Sequence, residues 1–242
     1  MKNKVKKVDY YGHILIISGA SGVGKTTTVN LLQEMYPQTY SVIPIDMNRK
    51  LRVGEIGRRV VETATMYTKQ QNGEYIGFQI VNGDVLVGTC KKDIQQALNL
   101  NKIVLMDFPL EKVIDIEKTF PNTDITVIEL VPPSQEELHN RLKNDGRYKG
   151  LRVDIGVEKL KQYKRGDLVG LYDYALITET HKQKEIVEKI HQFMQIQCIT
   201  PKQLSNIEKH DSIQKFLESI PSIKKNTYST DIDKNMITRN ML

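Results

Sequence analysis

Residues 14–28 read ILIISGASGVGKTTT. Ile14 to Ile17 are aliphatic without alternation, the pattern of a strand covered on both faces. Three glycines then fall within six residues, followed by a lysine and three threonines. A chain that only had to turn would need one or two turn residues. Gly19, Ala20, Ser21, Gly22, Val23, Gly24, Lys25 and Thr26 fit G-x-x-x-x-G-K-[ST], the phosphate-binding loop between a strand and a helix.

The physics accounts for the composition. A polyphosphate tail carries several negative charges, and successive backbone N–H groups aimed inward by a glycine-rich loop can surround it. Glycine permits positive φ and close approach of the backbone. The helix that follows points its positive dipole end at the phosphates. Lys25 is expected to reach the β- and γ-phosphates, and the Thr26 hydroxyl to be a magnesium ligand. Thr27 continues the helix start and belongs to the same nucleotide locus.

Outward from this loop, aliphatic strands alternate with amphipathic helices, which predicts an α/β layer fold with a mainly parallel sheet flanked by helices. Strands are expected at His13 to Ser18, Tyr40 to Ile45, Ile103 to Met106, Ile125 to Leu130 and Ala175 to Thr178. Helices are expected at Thr26 to Met35, Gly54 to Gln70, Lys91 to Leu100, Val157 to Leu168 and Lys182 to Gln195. Tyr75 to Val81 and Val85 to Thr89, separated by Asn82-Gly83-Asp84, read as a hairpin. Ser134 and Glu137 form a capping-box pattern that starts a helix running to about Lys143. The glycine-rich, charged stretch from Asn144 to Gly156 reads as a mobile loop. A further helix from Pro201 to about Ile220 is expected, and residues 221–242 read as loosely ordered.

The chain has 242 residues, of which 39% are hydrophobic and 26% charged, enough for a sizeable core. The formal charge is +6 and the pI near 9.1, which suits either plain solubility or an anionic partner. No aromatic-rich basic stripe accompanies the charge, which argues against nucleic acid. Cys90 and Cys198 lie far apart, without metal-type spacing, so a reducing, cytoplasmic setting is expected. No apolar run approaches the roughly 20 residues of a membrane helix, and no export signal is read.

Three further loci carry charge where a phosphate chemistry would need it. Arg49 and Arg52 follow the second strand, and guanidinium forks suit phosphate oxygens. Asp107 ends an apolar strand, where ligands of open α/β sheets gather and where a carboxylate can hold magnesium or cap a helix. Arg141, Arg147 and Arg152 lie in or beside the mobile loop, where arginines can close over a transferring phosphoryl group. Arg58 and Arg59 also suit a solvated basic face.

Together these pieces resemble the guanylate kinase family of P-loop nucleoside monophosphate kinases. The resemblance rests on SGASGVGKTT, on RKLRVGE at 49–55, on NGEYIGFQIVNGDVLVGT at 72–89, on PPSQEELHNRL at 132–142 and on YDYALIT at 172–178. It covers about residues 12–196, with a small β-rich acceptor-binding insertion at about 45–90, a lid at about 144–156 and a C-terminal extension at 197–242. The resemblance implies an ATP-dependent phosphotransferase acting on a phosphorylated acceptor, GMP by default, with magnesium. By position, Lys25 and Thr26 serve ATP and metal, Arg49 and Arg52 grip the acceptor phosphate, and Thr89 keeps an acceptor hydroxyl. Asp107 falls near the family's acidic strand end, Arg141 and Arg147 near its lid arginines, and Lys159 where another arginine stands.

The departures lie in the base reader. Ile45 replaces a serine, Val87 a tyrosine, and Val61 lies near a further missing tyrosine. The glutamate that reads guanine would fall at Gly77 or Phe78, which leaves Gln79, Glu74 and Tyr75 as possible substitutes. Two other readings stay open at this point: a kinase for a sugar phosphate or modified nucleotide, and an interaction module on the same fold.

Overall fold

The computed structural model describes residues 12–52, 55–81, 84–144, 150–165, 167–168, 170–179, 182–197 and 223–225. Its main sheet has six strands. At its centre is β1 (His13–Gly19), flanked by β7 (Ile103–Asp107) and β8 (Asp124–Val131), both parallel to it. Beyond β7 lies β2 (Tyr40–Val42), and beyond β8 lies β9 (Tyr174–Ile177), again parallel. An antiparallel strand, β10 (Ile223–Lys225), closes the β9 edge.

The unbroken aliphatic run of β1 is explained by its two covered faces. Leu15 and Ile17 pack with Leu32 of α1 (Lys25–Met35) and with Val187, Ile190 and Phe193 of α7 (Gln183–Gln197). Ile14 and Ile16 pack with Ile94 of α3 (Lys91–Leu98) and Ile116 of α4 (Val113–Thr119). All four β1 side chains are fully buried, each contributing about 1.5–3 kcal/mol of transfer free energy. Because the five strands run parallel, Gly19, Val42, Asp107, Val131 and Ile177 end at one edge.

A second sheet of four strands hangs over that edge. It comprises β3 (Ile45–Met47), β4 (Arg58–Val60), β5 (Tyr75–Val81) and β6 (Val85–Cys90), in the order β4-β3-β6-β5. The helix α2 (Thr63–Gln71) covers its back through Met66, which packs with Tyr75, Leu86 and Cys90. Among the described residues no helix is long and apolar enough to cross a membrane.

Several sequence expectations need correction. Tyr40 to Ile45 is not one strand: the Ile43 N–H bonds Leu105 O, then Pro44, which lacks a donor, precedes β3 in the other sheet. Gly54 to Gln70 is not one helix, because Arg58–Val60 pairs with β3 and α2 begins only at Thr63. The expected loop at 144–156 is partly helical: α6 spans Gly150–Arg165, beyond α5 (Gln135–Asn144). Gly156, the last residue of the expected loop, sits inside α6, where Leu138 Cδ2 of α5 lies 2.9 Å from where its Cβ would be. Residues 223–225 form β10, where the sequence reads as loose; the helix expected at 201–220 lies outside the described residues.

Candidate active site

The loop after β1 uses its glycines for different purposes. Gly19 has φ +145°, and a Cβ there would lie 2.6 Å from Leu130 O and 2.7 Å from Val23 Cγ2. Gly24, with φ +105°, is the residue preceding α1 and has open space around it. Lys25 folds back over the loop, donating to Gly19 O at 2.7 Å and Ala20 O at 2.9 Å. Burial draws the ammonium pKa down, partly offset by the charge of Asp107.

This loop forms part of a cleft of about 760 Å³. Gly19, Ala20, Ser21, Gly22, Gly24, Lys25, Thr26 and Thr27 all line it; Val23 is turned into the core. Arg49, Arg52, Thr89 and Asp107 line the same cleft, so residues scattered over ninety positions converge there. Arg141 does not line it. Its Nη2 donates to Thr178 O at 2.7 Å, its Nη1 to Thr178 Oγ1 at 3.0 Å and to Val23 O at 3.4 Å, and its Nε to Glu137 Oε1 at 3.0 Å. It thus ties the phosphate loop to the end of β9. The Glu137 N–H bonds Ser134 Oγ at 3.1 Å, one half of the capping box. Arg147 lies outside the described residues, as does the side chain of Arg152.

The turn after β3 is organised by Glu55. Its two carboxylate oxygens accept from the two terminal nitrogens of Arg49, and Oε2 also accepts from the Arg52 N–H at 3.0 Å. The Arg49 hydrogen bond, aided by the Arg52 amide and both charges, overcomes partial burial and holds the Glu55 pKa at about 2. The Arg52 side chain remains exposed.

Arg58 and Arg59, for which the sequence leaves a solvated face open, are both ion-paired, and Arg58 is largely buried while Arg59 stays partly exposed. Alternation along β4 sends them apart: Arg58 Nη2 meets Asp107 Oδ2 at 2.9 Å on the cleft, while Arg59 bonds Asp46 at 2.6 Å and Asp93 at 2.7 Å behind the small sheet. Asp46 is fully buried and also accepts from Tyr75 Oη at 2.6 Å. Burial opposes its ionisation, but hydrogen bonds from Arg59, Tyr75 and Lys69 hold its pKa below the usual carboxylate range. Glu129 is a second feature missed. It is fully buried in β8 with Lys159 of α6 at 3.3 Å, and burial, countered chiefly by the Lys159 charge, raises its pKa. The available signal was a lone acid inside an aliphatic strand.

Residues 11–197 match the family described as guanylate kinase. The chain belongs to the guanylate kinase family. It is 31% identical over 182 residues to a guanylate kinase of Helicobacter pylori, covering 74% of this chain and 85% of that one. It is 29% identical over 171 residues to a guanylate kinase of Aromatoleum aromaticum, covering 69% and 80%. In fold it is similar to the crystal structure of guanylate kinase from Anaplasma phagocytophilum, with a TM-score of 0.59 at 19% identity over 79% of this chain and 88% of that one.

Within this guanylate kinase framework the departures acquire physical reasons. Gly77 has φ +65°, and a Cβ there would stand 2.6 Å from the Phe108 ring, so the position has no room for a glutamate. Phe78 stacks on Tyr75 behind the sheet, with ring centroids 5.7 Å apart. Ile45 and Val87 line the cleft and bring no polar group to it.

Proposed function

We propose that this protein transfers the γ-phosphoryl group of ATP to the phosphate of GMP. An acceptor phosphate oxygen attacks the γ-phosphorus, the bond to the β–γ bridging oxygen breaks, and ADP leaves. Such a transfer asks the protein for positioning and charge stabilisation more than for covalent chemistry. The observation that carries the reading is the shared cleft: the phosphate loop with Lys25 and the arginines Arg49 and Arg52 line one cavity. Two anions that repel in water would there be held by cationic groups of fixed position.

In this scheme the amides of residues 19–27 and the Lys25 ammonium hold the ATP phosphates. Arg49 and Arg52 hold the acceptor phosphate, with Thr89 beside them. Arg147 is assigned to stabilise charge on the transferring group, while Arg141, which does not line the cleft, holds the phosphate loop in place through Val23 O. Thr26 and Asp107 both border the cleft, and among the described residues no group of three or more acids, histidines or cysteines is set for a resident ion. A hydroxyl and one carboxylate suit magnesium, which keeps waters and binds partly through nucleotide phosphates. When bound, magnesium supplies neutralising charge at the β- and γ-oxygens. A cytoplasmic setting belongs to the proposal and is supported by the free, buried thiol of Cys90.

The test mixes protein, ATP and magnesium with a panel of nucleoside monophosphates and sugar phosphates, and follows ADP. GMP-dependent ADP formation is expected. ADP formation that no acceptor stimulates overturns the proposal.

A further inference from the structure

The register of the small sheet fixes which side chains face the cleft. Met47 pairs with Val87, and Val87 pairs with Gln79; Ile45 pairs with Thr89. Paired residues share a face, and all of these line the cleft. Of the side chains on this face, Ile45, Met47, Val81, Val85 and Val87 are apolar. Arg58, paired with Ile45, is also on this face but is tied to Asp107; Gln79 and Thr89 carry the uncharged hydrogen-bonding groups. The other two substitutes suggested by sequence are placed elsewhere: Tyr75 donates to Asp46 behind the sheet, and Glu74 is exposed outside the cleft lining. Gln79 is half-buried, and its amide has no hydrogen-bond partner among the described residues.

We infer that Gln79 is the residue that reads the acceptor base, and that it reads it permissively, so that purine monophosphates other than GMP are also acceptors. The inference rests on the proposed function. An amide holds one donor group and one acceptor side by side. It matches the N1–H and O6 pair of guanine, which hypoxanthine shares. Turned over, it matches the 6-amino and N1 pair of adenine. The Thr89 hydroxyl likewise donates or accepts. Strong rejection of a wrong ligand comes from leaving a buried polar group of fixed polarity unpaired, and neither Gln79 nor Thr89 has fixed polarity. A carboxylate on the same stem would differ, since it only accepts and is satisfied by the N1–H and 2-amino donors of guanine.

The experiment measures kcat/KM for GMP, IMP and AMP at saturating ATP and magnesium, for wild type, Gln79→Glu and Gln79→Leu. Thermal melts and the KM for ATP report that each variant is folded. In wild type the three acceptors are expected within ~10-fold of one another. Gln79→Glu is expected to keep GMP and lose IMP and AMP by ~10–100-fold, and Gln79→Leu to raise KM for all three by ~10-fold without changing KM for ATP. Wild-type rejection of IMP and AMP by more than ~10³-fold, or acceptor ratios and KM values unchanged in both variants, overturns the inference while GMP turnover leaves the proposed function standing. No turnover with any purine monophosphate overturns both.

Discussion

Arg58 of the small sheet and Asp107 at the end of β7 meet with Nη2 and Oδ2 2.9 Å apart, their side chains 13% and 14% exposed. The pair links the two sheets across the cleft and sets a guanidinium beside the carboxylate whose charge Lys25 feels. Removing one partner leaves a largely buried charge without its hydrogen bond. Arg58→Met should therefore destabilise the fold by about 1.5–3 kcal/mol in urea denaturation. The double variant with Asp107→Asn should lose less than the sum of the two single variants. Strict additivity would show that the contact carries no energy.

Lys25→Met keeps the aliphatic stem and removes the ammonium. With that charge gone from the phosphate loop, kcat should fall by about 10²–10³-fold, while circular dichroism and urea midpoint stay close to wild type. Full activity in this variant would remove Lys25 from the reaction.

Two glycines of the loop should differ in their tolerance of alanine. At Gly24 the added Cβ meets nothing within 4 Å, so the cost is the positive φ alone, about 1–2 kcal/mol. At Gly19 the same methyl collides with Leu130 O, adding about 1–3 kcal/mol of overpacking. Denaturant midpoints for Gly19→Ala and Gly24→Ala test the ranking, and the reverse order would contradict the geometry.

Acid should act through Glu55. Its pKa in the folded protein is about 2, below the ~4.3 of an unfolded glutamate. A depressed pKa contributes stability that is fully present above the unfolded value and lost as pH falls toward the folded one. Compared with Glu55→Gln, wild type should show a Tm advantage that is constant above pH ~5 and shrinks as pH drops toward 2. A difference independent of pH would mean that the Arg49 pairing does not depend on ionisation.

The phosphate loop was legible because its motif is local: strand, glycines, lysine and helix occur within fifteen residues. The parallel sheet was legible because its strands are covered on both faces and so read as aliphatic runs. What escaped was set by partners distant in sequence. Arg58 and Arg59 are adjacent and chemically identical, and only strand pairing decides which meets Asp107 and which meets Asp46. Helix α6 begins with glycine-rich sequence that favours a loop in isolation; the close passage of Leu138 makes Gly156 the fitting residue inside it. Arg141 reads as the arginine before the lid, but its partner Thr178, far along the chain and close in space, is not legible from the sequence.

The small sheet turns apolar side chains, Gln79, Thr89 and Arg58 toward the cleft, and an ion cluster around Asp46 toward α2. Ile45, Asp46 and Met47 are three consecutive residues serving both faces in turn. Insertion or deletion of one residue in β3 would exchange these duties, driving a carboxylate into the ligand site and pushing hydrocarbon against Arg59 and Lys69. Side-chain changes at 79, 87 or 89 therefore alter the cleft lining alone, whereas a change in strand length would disturb both faces at once.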